Sequence, residues 1–422
     1  MKRFLYSICI LFIPVPVICS DLGPGEKEPP ILESNRFRGA DGSGIYTAKN
    51  LLLSWNDNDY LWTLQLPGDG HSSPIAWRDQ IYVTSTDRGN PRLILLCLDS
   101  RSGQEIWRSS FTSAAHRLHR LSSYATSTPA VDRYHVYMVW SNHGHFNIAA
   151  LDHAGKEVWR RDLGTRVTSH GGETSPIVLD DMVIVTNDSR GPSSIHALDR
   201  MTGETLWKRE RPNEPKGKAS YCTPLVYRTA RGDEQLIFNS TSSGMTALNP
   251  ENGEVLWAMP HLFPDRTILS PVRISEYIFA SCGSGTGGAT LTAVLPPTRA
   301  GAEPEIAYEI RKSAPYVPTP VGLGDRLFMV NDGGIATCID APSGEEIWKA
   351  KLGDSFFSSP IRVDDRIYAV SRRADVVVFR ASDAFEILGR TLINQDCHAT
   401  PIVHQGNLYL RTVSHLYCIG PR

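Results

Sequence analysis

The residues of this sequence best equipped for chemistry recur in one setting, a short polar segment that ends at Ser-Pro or Thr-Pro. His71, Tyr124, His170, Glu173, Tyr221, Tyr316, Asp396 and His398 each stand a few residues before such a proline. Imidazole beside carboxylate suits a divalent transition ion, and the phenols suit stacking on a sugar or hydrogen bonding to a polar ligand. A lone His or Tyr on a loop is more often solvated or bonded in place than catalytic. No HExxH, paired CxxC or regular His spacing supports a metal, and neither GxSxG nor a P-loop occurs. Gly283 to Gly288 is glycine-rich, but it lies between two strand-like runs and precedes no helix, which makes it a hairpin and not a phosphate cradle. We therefore expect no catalytic set and no metal, but one concave surface for a protein or a small polar ligand. His116, Arg117, His119 and Arg120 form a second polar cluster, suited to an acidic partner or to a solvated loop.

The elements that position these residues follow from the prolines themselves, at Pro74, Pro129, Pro176, Pro224, Pro271, Pro320, Pro360 and Pro401. Their spacing of 40 to 55 residues suits a unit of four short strands. In the first unit, Pro74 to Trp77 starts a strand, Gln80 to Ser85 and Leu93 to Leu98 alternate as the next two, and Gln104 to Arg108 makes the fourth. The third-to-fourth turn carries a signature: a small residue, Leu or Ile, then Asp or Asn, then Gly, with Trp four residues after the Gly. It appears as Cys97-Leu98-Asp99 with Gly103 and Trp107, and again with Trp159, Trp207, Trp257 and Trp348. The Asp or Asn caps the turn, Gly supplies positive φ, and the indole covers the seam to a neighbouring unit. The fifth unit, with Pro296-Pro297 before Tyr308, and the seventh, with Ala384 and Leu388, depart from the pattern, so looser seams are expected there.

Eight first strands exist, yet the chain stops after the third strand of the last unit. Asn58 and Trp62 fall at the Gly and Trp positions, so Tyr60 to Leu66 should supply the missing strand. The expected fold is all-β, a single eight-bladed β-propeller of four-stranded antiparallel blades over residues 51–422, closed by an N-terminal strand. In a four-strand meander the fourth-to-first connections and second-to-third hairpins share one face, so the polar segments should surround one mouth of the central channel.

Composition agrees with this reading. The 422 residues are 41% apolar and 21% charged, with 43 basic and 45 acidic side chains, which excludes a disordered chain, a multi-span membrane protein and a basic nucleic-acid binder. Lys2 and Arg3 precede an uncharged, largely apolar run from Phe4 to Cys19 that Pro14 and Pro16 interrupt. Residues 1–20 read as a signal peptide and residues 21–50 as an N-terminal extension, placing a monomer without a transmembrane span in the periplasm or outside the cell. A lipid anchor at Cys19 is the rival reading, disfavoured by the bulky Ile18. Cys97, Cys338 and Cys418 share one slot in three repeats, where others have Ala, so they read as small buried side chains and not as disulfide halves.

The repeat resembles the tryptophan-docking repeat of the pyrroloquinoline quinone (PQQ) β-propellers, a family that contains quinoprotein dehydrogenases and non-catalytic, BamB-like propellers of outer-membrane assembly. Arg38-Gly39-Ala40-Asp41-Gly42-Ser43-Gly44 is similar to a motif that precedes such propellers in secreted bacterial proteins. The dehydrogenase branch would imply PQQ with calcium, a vicinal Cys-Cys ring, a base Asp and often a CxxCH haem site. No two cysteines are adjacent here and CxxCH is absent. The resemblance therefore implies a scaffold, with a PQQ oxidoreductase and a carbohydrate-binding module that stacks sugars on Tyr124, Tyr221 and Tyr316 as the alternatives.

Overall fold

Each repeat folds as an antiparallel meander because its apolar residues alternate along three short strands, while the outermost strand keeps one face in solvent. A computed structural model describes residues 34–87, 92–113, 119–167, 174–212, 219–285, 287–299 and 301–421. Residues 1–33, Cys19 among them, together with His116, Arg117, His170 and Glu173, lie outside the described residues. In blade 1 the strands are Ile75–Trp77, Gln80–Asp87, Arg92–Asp99 and Glu105–Thr112. The first three are almost wholly buried, whereas the fourth alternates between exposed and half-buried residues, with Phe111 alone buried.

Eight such sheets form the expected eight-bladed propeller. Closure follows the expected route: Tyr60–Gln65 is the outermost strand of blade 8 and pairs antiparallel with His415–Ile419, Trp62 opposite Cys418. Blade 7 carries a fifth strand, Ile45–Tyr46, which pairs parallel with the innermost strand Ile361–Val363. All six cysteines among the described residues are buried and unpaired.

The tryptophan signature acts between blades. Trp62, Trp107, Trp159 and Trp207 lie over Gly103, Gly155, Gly203 and Gly253 of the next blade. At Gly103 a β-carbon would stand 2.6 Å from the Trp62 ring, and φ is +69°, so both space and backbone demand glycine. Each indole nitrogen then donates to a carbonyl just past the capping residue: Trp62 to Ser100 at 2.9 Å, Trp107 to His153 at 2.8 Å, Trp159 to Arg200 at 3.0 Å and Trp207 to Pro250 at 2.7 Å. Trp348 donates likewise to Ser382 at 2.9 Å.

The two irregular units fill their seams by other means instead of leaving them loose. Tyr308 takes the place of an indole over Gly344, and its hydroxyl donates to the Ala341 carbonyl. Because blade 5 lacks the tight turn, Trp257 bonds within its own blade, to Gln235 Oε1 at 2.9 Å. Beyond blade 7, buried Leu51 and Trp55 cover the gap, the Leu52 carbonyl accepting from Tyr368 Oη and the Trp55 amide donating to Thr391 Oγ1. Among the described residues no helix is long and apolar enough to cross a membrane.

Candidate functional site

The Ser/Thr-Pro step builds the inner wall of the channel. The amides of seven of the eight pre-proline residues donate to the hydroxyl of the pre-proline residue in the next blade: Ser73 to Thr128 (2.9 Å), Thr128 to Ser175 (3.0 Å), Thr223 to Ser270 (3.1 Å) and Ser270 to Thr319 (3.2 Å). The series continues from Thr319 to Ser359 (3.0 Å), Ser359 to Thr400 (3.1 Å) and Thr400 back to Ser73 (3.1 Å). Proline suits the following position because it brings no N–H to satisfy beside the axis. All eight hydroxyl residues line one cavity of about 670 Å³.

One end of that cavity is closed by the extension. Ser34 and Asn35 carbonyls accept from Ala76 and Val131, in the first strands of blades 1 and 2, at 2.9 and 2.8 Å. Phe37 then lines the cavity, and Arg38 reaches blades 6 and 7. The Arg38 guanidinium, fully buried, donates to the carbonyls of Thr319 (3.1 Å), Pro320 (2.8 Å) and Pro360 (3.2 Å), and also to Gly42 and Ser43 within its own loop. The Arg-Gly-rich motif is thus a plug, and the channel is a blind pocket open at the loop-rich mouth.

At that mouth the structure brings together four of the expected residues, His71, Tyr221, Tyr316 and His398. The His71 and His398 rings lie 4.2 Å apart, and Phe357 meets His398 edge-on at 5.1 Å. Arg372 stacks over Phe357 with its guanidinium carbon 5.0 Å from the ring centre. Burial, reinforced by His398, Arg411 and Arg372, holds the His71 imidazole well below the usual histidine range. Burial and the Arg372 charge bring His398 down to about 4. Both rings are therefore neutral at pH 7. Across the pocket, burial raises the Tyr316 phenol, with Arg266 opposing, and the Arg266 Nη1 to Tyr316 Oη distance is 3.4 Å.

Tyr124 and Asp396 do not line the cavity. Asp396 is exposed outside it, and the connection carrying Tyr124 instead presents the Ala125 carbonyl, which accepts from His71 and Ser72 amides at 2.8 and 2.9 Å. His119 and Arg120 do line it, which joins the second polar cluster to the first. Phe37 and Phe357 were not among the sequence candidates, since apolar residues before or between polar segments carry no signal of a ligand wall.

Among the described residues the lining does not fit a PQQ and calcium site. Their one lining carboxylate, Asp332, is raised by burial and caps the Tyr316 and Val317 amides at 2.7 and 3.3 Å. Among the described residues no three His, Cys, Asp or Glu side chains gather to hold a cation.

The family model and the curated relatives agree with each other. The family model described as outer membrane protein assembly factor BamB matches residues 91–300 and 309–386. The outer membrane protein assembly factor BamB of Shewanella oneidensis is 25% identical over 300 residues, covering 66% of this chain and 71% of that protein. The crystal structure of BamB from Moraxella catarrhalis superimposes with a TM-score of 0.61 at 15% identity, over 86% of this chain and 97% of that one. The quinohemoprotein alcohol dehydrogenase from Comamonas testosteroni gives a TM-score of 0.64 at 12% identity, over 92% of this chain and 80% of that one. At such identities the two structures speak for the fold alone.

Proposed function

This chain belongs to the family of the outer membrane protein assembly factor BamB, and from that premise we propose that it is a non-catalytic, extracytoplasmic propeller scaffold, exported by the signal peptide at residues 1–20, that binds its partner through the loop-rich mouth. The observation that carries this reading is the convergence of connections from around the ring on one concave polar surface, held by the hydroxyl ring beneath it. A rigid ring fixes the loops, and the loops are free to supply recognition without a catalytic constellation. The curated relatives support a role in outer-membrane assembly.

Photo-crosslinking tests it. A crosslinker at Arg120 or Tyr221, at the mouth, should capture a β-barrel assembly protein in the native cell envelope, whereas one at exposed Ile106 on the outer strand of blade 1 should not. Capture from neither position, together with PQQ- and calcium-dependent dye reduction by an alcohol or a sugar, would overturn the scaffold reading in favour of a quinoprotein oxidoreductase.

A further inference from the structure

The whole chain carries a formal charge of −2, yet among the described residues that line the pocket the arginines and carboxylates number three to one, Arg120, Arg266 and Arg372 against Asp332. That aspartate accepts from two backbone amides, whose dipoles partly offset its charge, and the arginines still outnumber it. Arg372 is partly buried, and its Nε finds no hydrogen-bond partner among the described residues. Beside His71, Arg411 is fully buried, bonds through Nη1 to the Ser72 carbonyl and hydroxyl, and leaves Nε and Nη2 without partners among the described residues. Guanidinium groups that outnumber carboxylates in a water-poor cleft focus a positive potential toward its mouth.

We propose that the blind pocket binds a small organic carboxylate, seated on the wall formed by Arg372, Phe357, His398 and His71. This deepens the mouth-binding reading and rests on it. The guanidinium offers a planar fork matched to a carboxylate, and the neutral His71 imidazole offers one N–H, while His398 spends its own on the Leu121 backbone and packs against His71. The Phe357 ring beneath the guanidinium and the paired imidazoles present flat apolar faces to an unsaturated or ring-bearing body. Because the extension closes the far end, the ligand enters and leaves by the mouth, and a volume of about 670 Å³ admits a molecule and not a folded domain.

Isothermal titration with isophthalate, a benzene dicarboxylate, tests the assignment on the purified protein, with the neutral diamide isophthalamide and inorganic phosphate as comparisons. Isophthalate should bind saturably, at least about tenfold more tightly than either, as expected when charge-assisted hydrogen bonds hold the carboxylates. Arg372→Gln should weaken it at least about tenfold, and His71→Asn should weaken it by a second route. Arg373→Gln, a neighbour exposed outside the lining and bonded to Asn394, should leave it unchanged. Matching melting curves for the three variants separate binding loss from unfolding. Equal affinity for isophthalamide or phosphate, or equal affinity in the Arg372 and Arg373 variants, overturns the proposal. Those outcomes leave envelope crosslinking from the mouth untouched, so the failure of this site and of the scaffold reading are told apart.

Discussion

The Thr400 amide donates to Ser73 Oγ at 3.1 Å across 327 positions of sequence, and that bond joins the last blade to the first at the axis. The terminal strand Tyr60–Gln65 performs the same closure at the rim. Ser73 also donates onward to Thr128, so it stands twice in the ring. Ser73→Ala removes an acceptor and leaves the buried Thr400 amide unsatisfied, a cost of about 1–3 kcal/mol. Chemical denaturation should show that loss. No measurable change would mean that the ring contributes nothing to closure.

Trp207→Ala should cost about 3–5 kcal/mol. The indole is 8% exposed, lies on Gly253 and donates to the Pro250 carbonyl, so truncation opens a cavity between blades 3 and 4 and orphans a carbonyl. A midpoint shift near zero in urea would contradict the seam assignment.

Arg38→Ala should release the plug more than it unfolds the ring. Three inter-blade carbonyls lose their donor, at a cost of about 3 kcal/mol. The expected readout is faster proteolytic cleavage within residues 34–46 with a cooperative melt retained. Unchanged cleavage kinetics would show that strand Ile45–Tyr46 and the Ser34 and Asn35 bonds to blades 1 and 2 hold the extension without Arg38.

Asp188→Asn should be disproportionately damaging for a loop substitution. Asp188 and Arg211 are 3% and 4% exposed, and Arg211 Nη1 lies 2.5 and 2.6 Å from the two carboxylate oxygens. Removing the carboxylate charge strands a buried guanidinium over Phe238, at about 3–5 kcal/mol. Thermal melts of the single and the Asp188→Asn/Arg211→Met double variant check this, the double being the milder.

Much of this was legible in the sequence because it repeats. Gly103 with Trp107 and its copies announce the turns, and the count of prolines announces eight blades and the terminal closure. What the repeats cannot convey is what happens where they break: Tyr308 replaces an indole over Gly344, and Leu51 to Trp55 fill the seam at blade 7, because packing selects any side chain of suitable volume. The site was legible at the level of loops and less so at the level of side chains. His71 and His398 meet, while Asp396, two residues away from His398, turns to solvent, because loop direction is set by tertiary contacts. Arg38 and Phe37 as a plug have no period to betray them.

The paired histidines give the mouth an acid response whose sign is fixed by their environment. Burial and the Arg372 charge place His398 at about 4, below the ~6.5 of an unfolded chain, and His71 shifts in the same direction. Between those values the unfolded state binds protons that the folded state refuses, so stability rises with pH there and is lost as pH falls from about 6.5 toward 4. His196, brought down to about 4 chiefly by burial, adds to the same window from blade 3. Melting temperature should therefore be flat above pH 7 and decline below 6.5. His398→Gln should make that decline shallower by roughly one proton at most, because the glutamine stays neutral in both states. An unchanged slope would mean that His398 accepts its proton in the folded mouth without penalty, and that the pocket wall is wetter than its geometry implies.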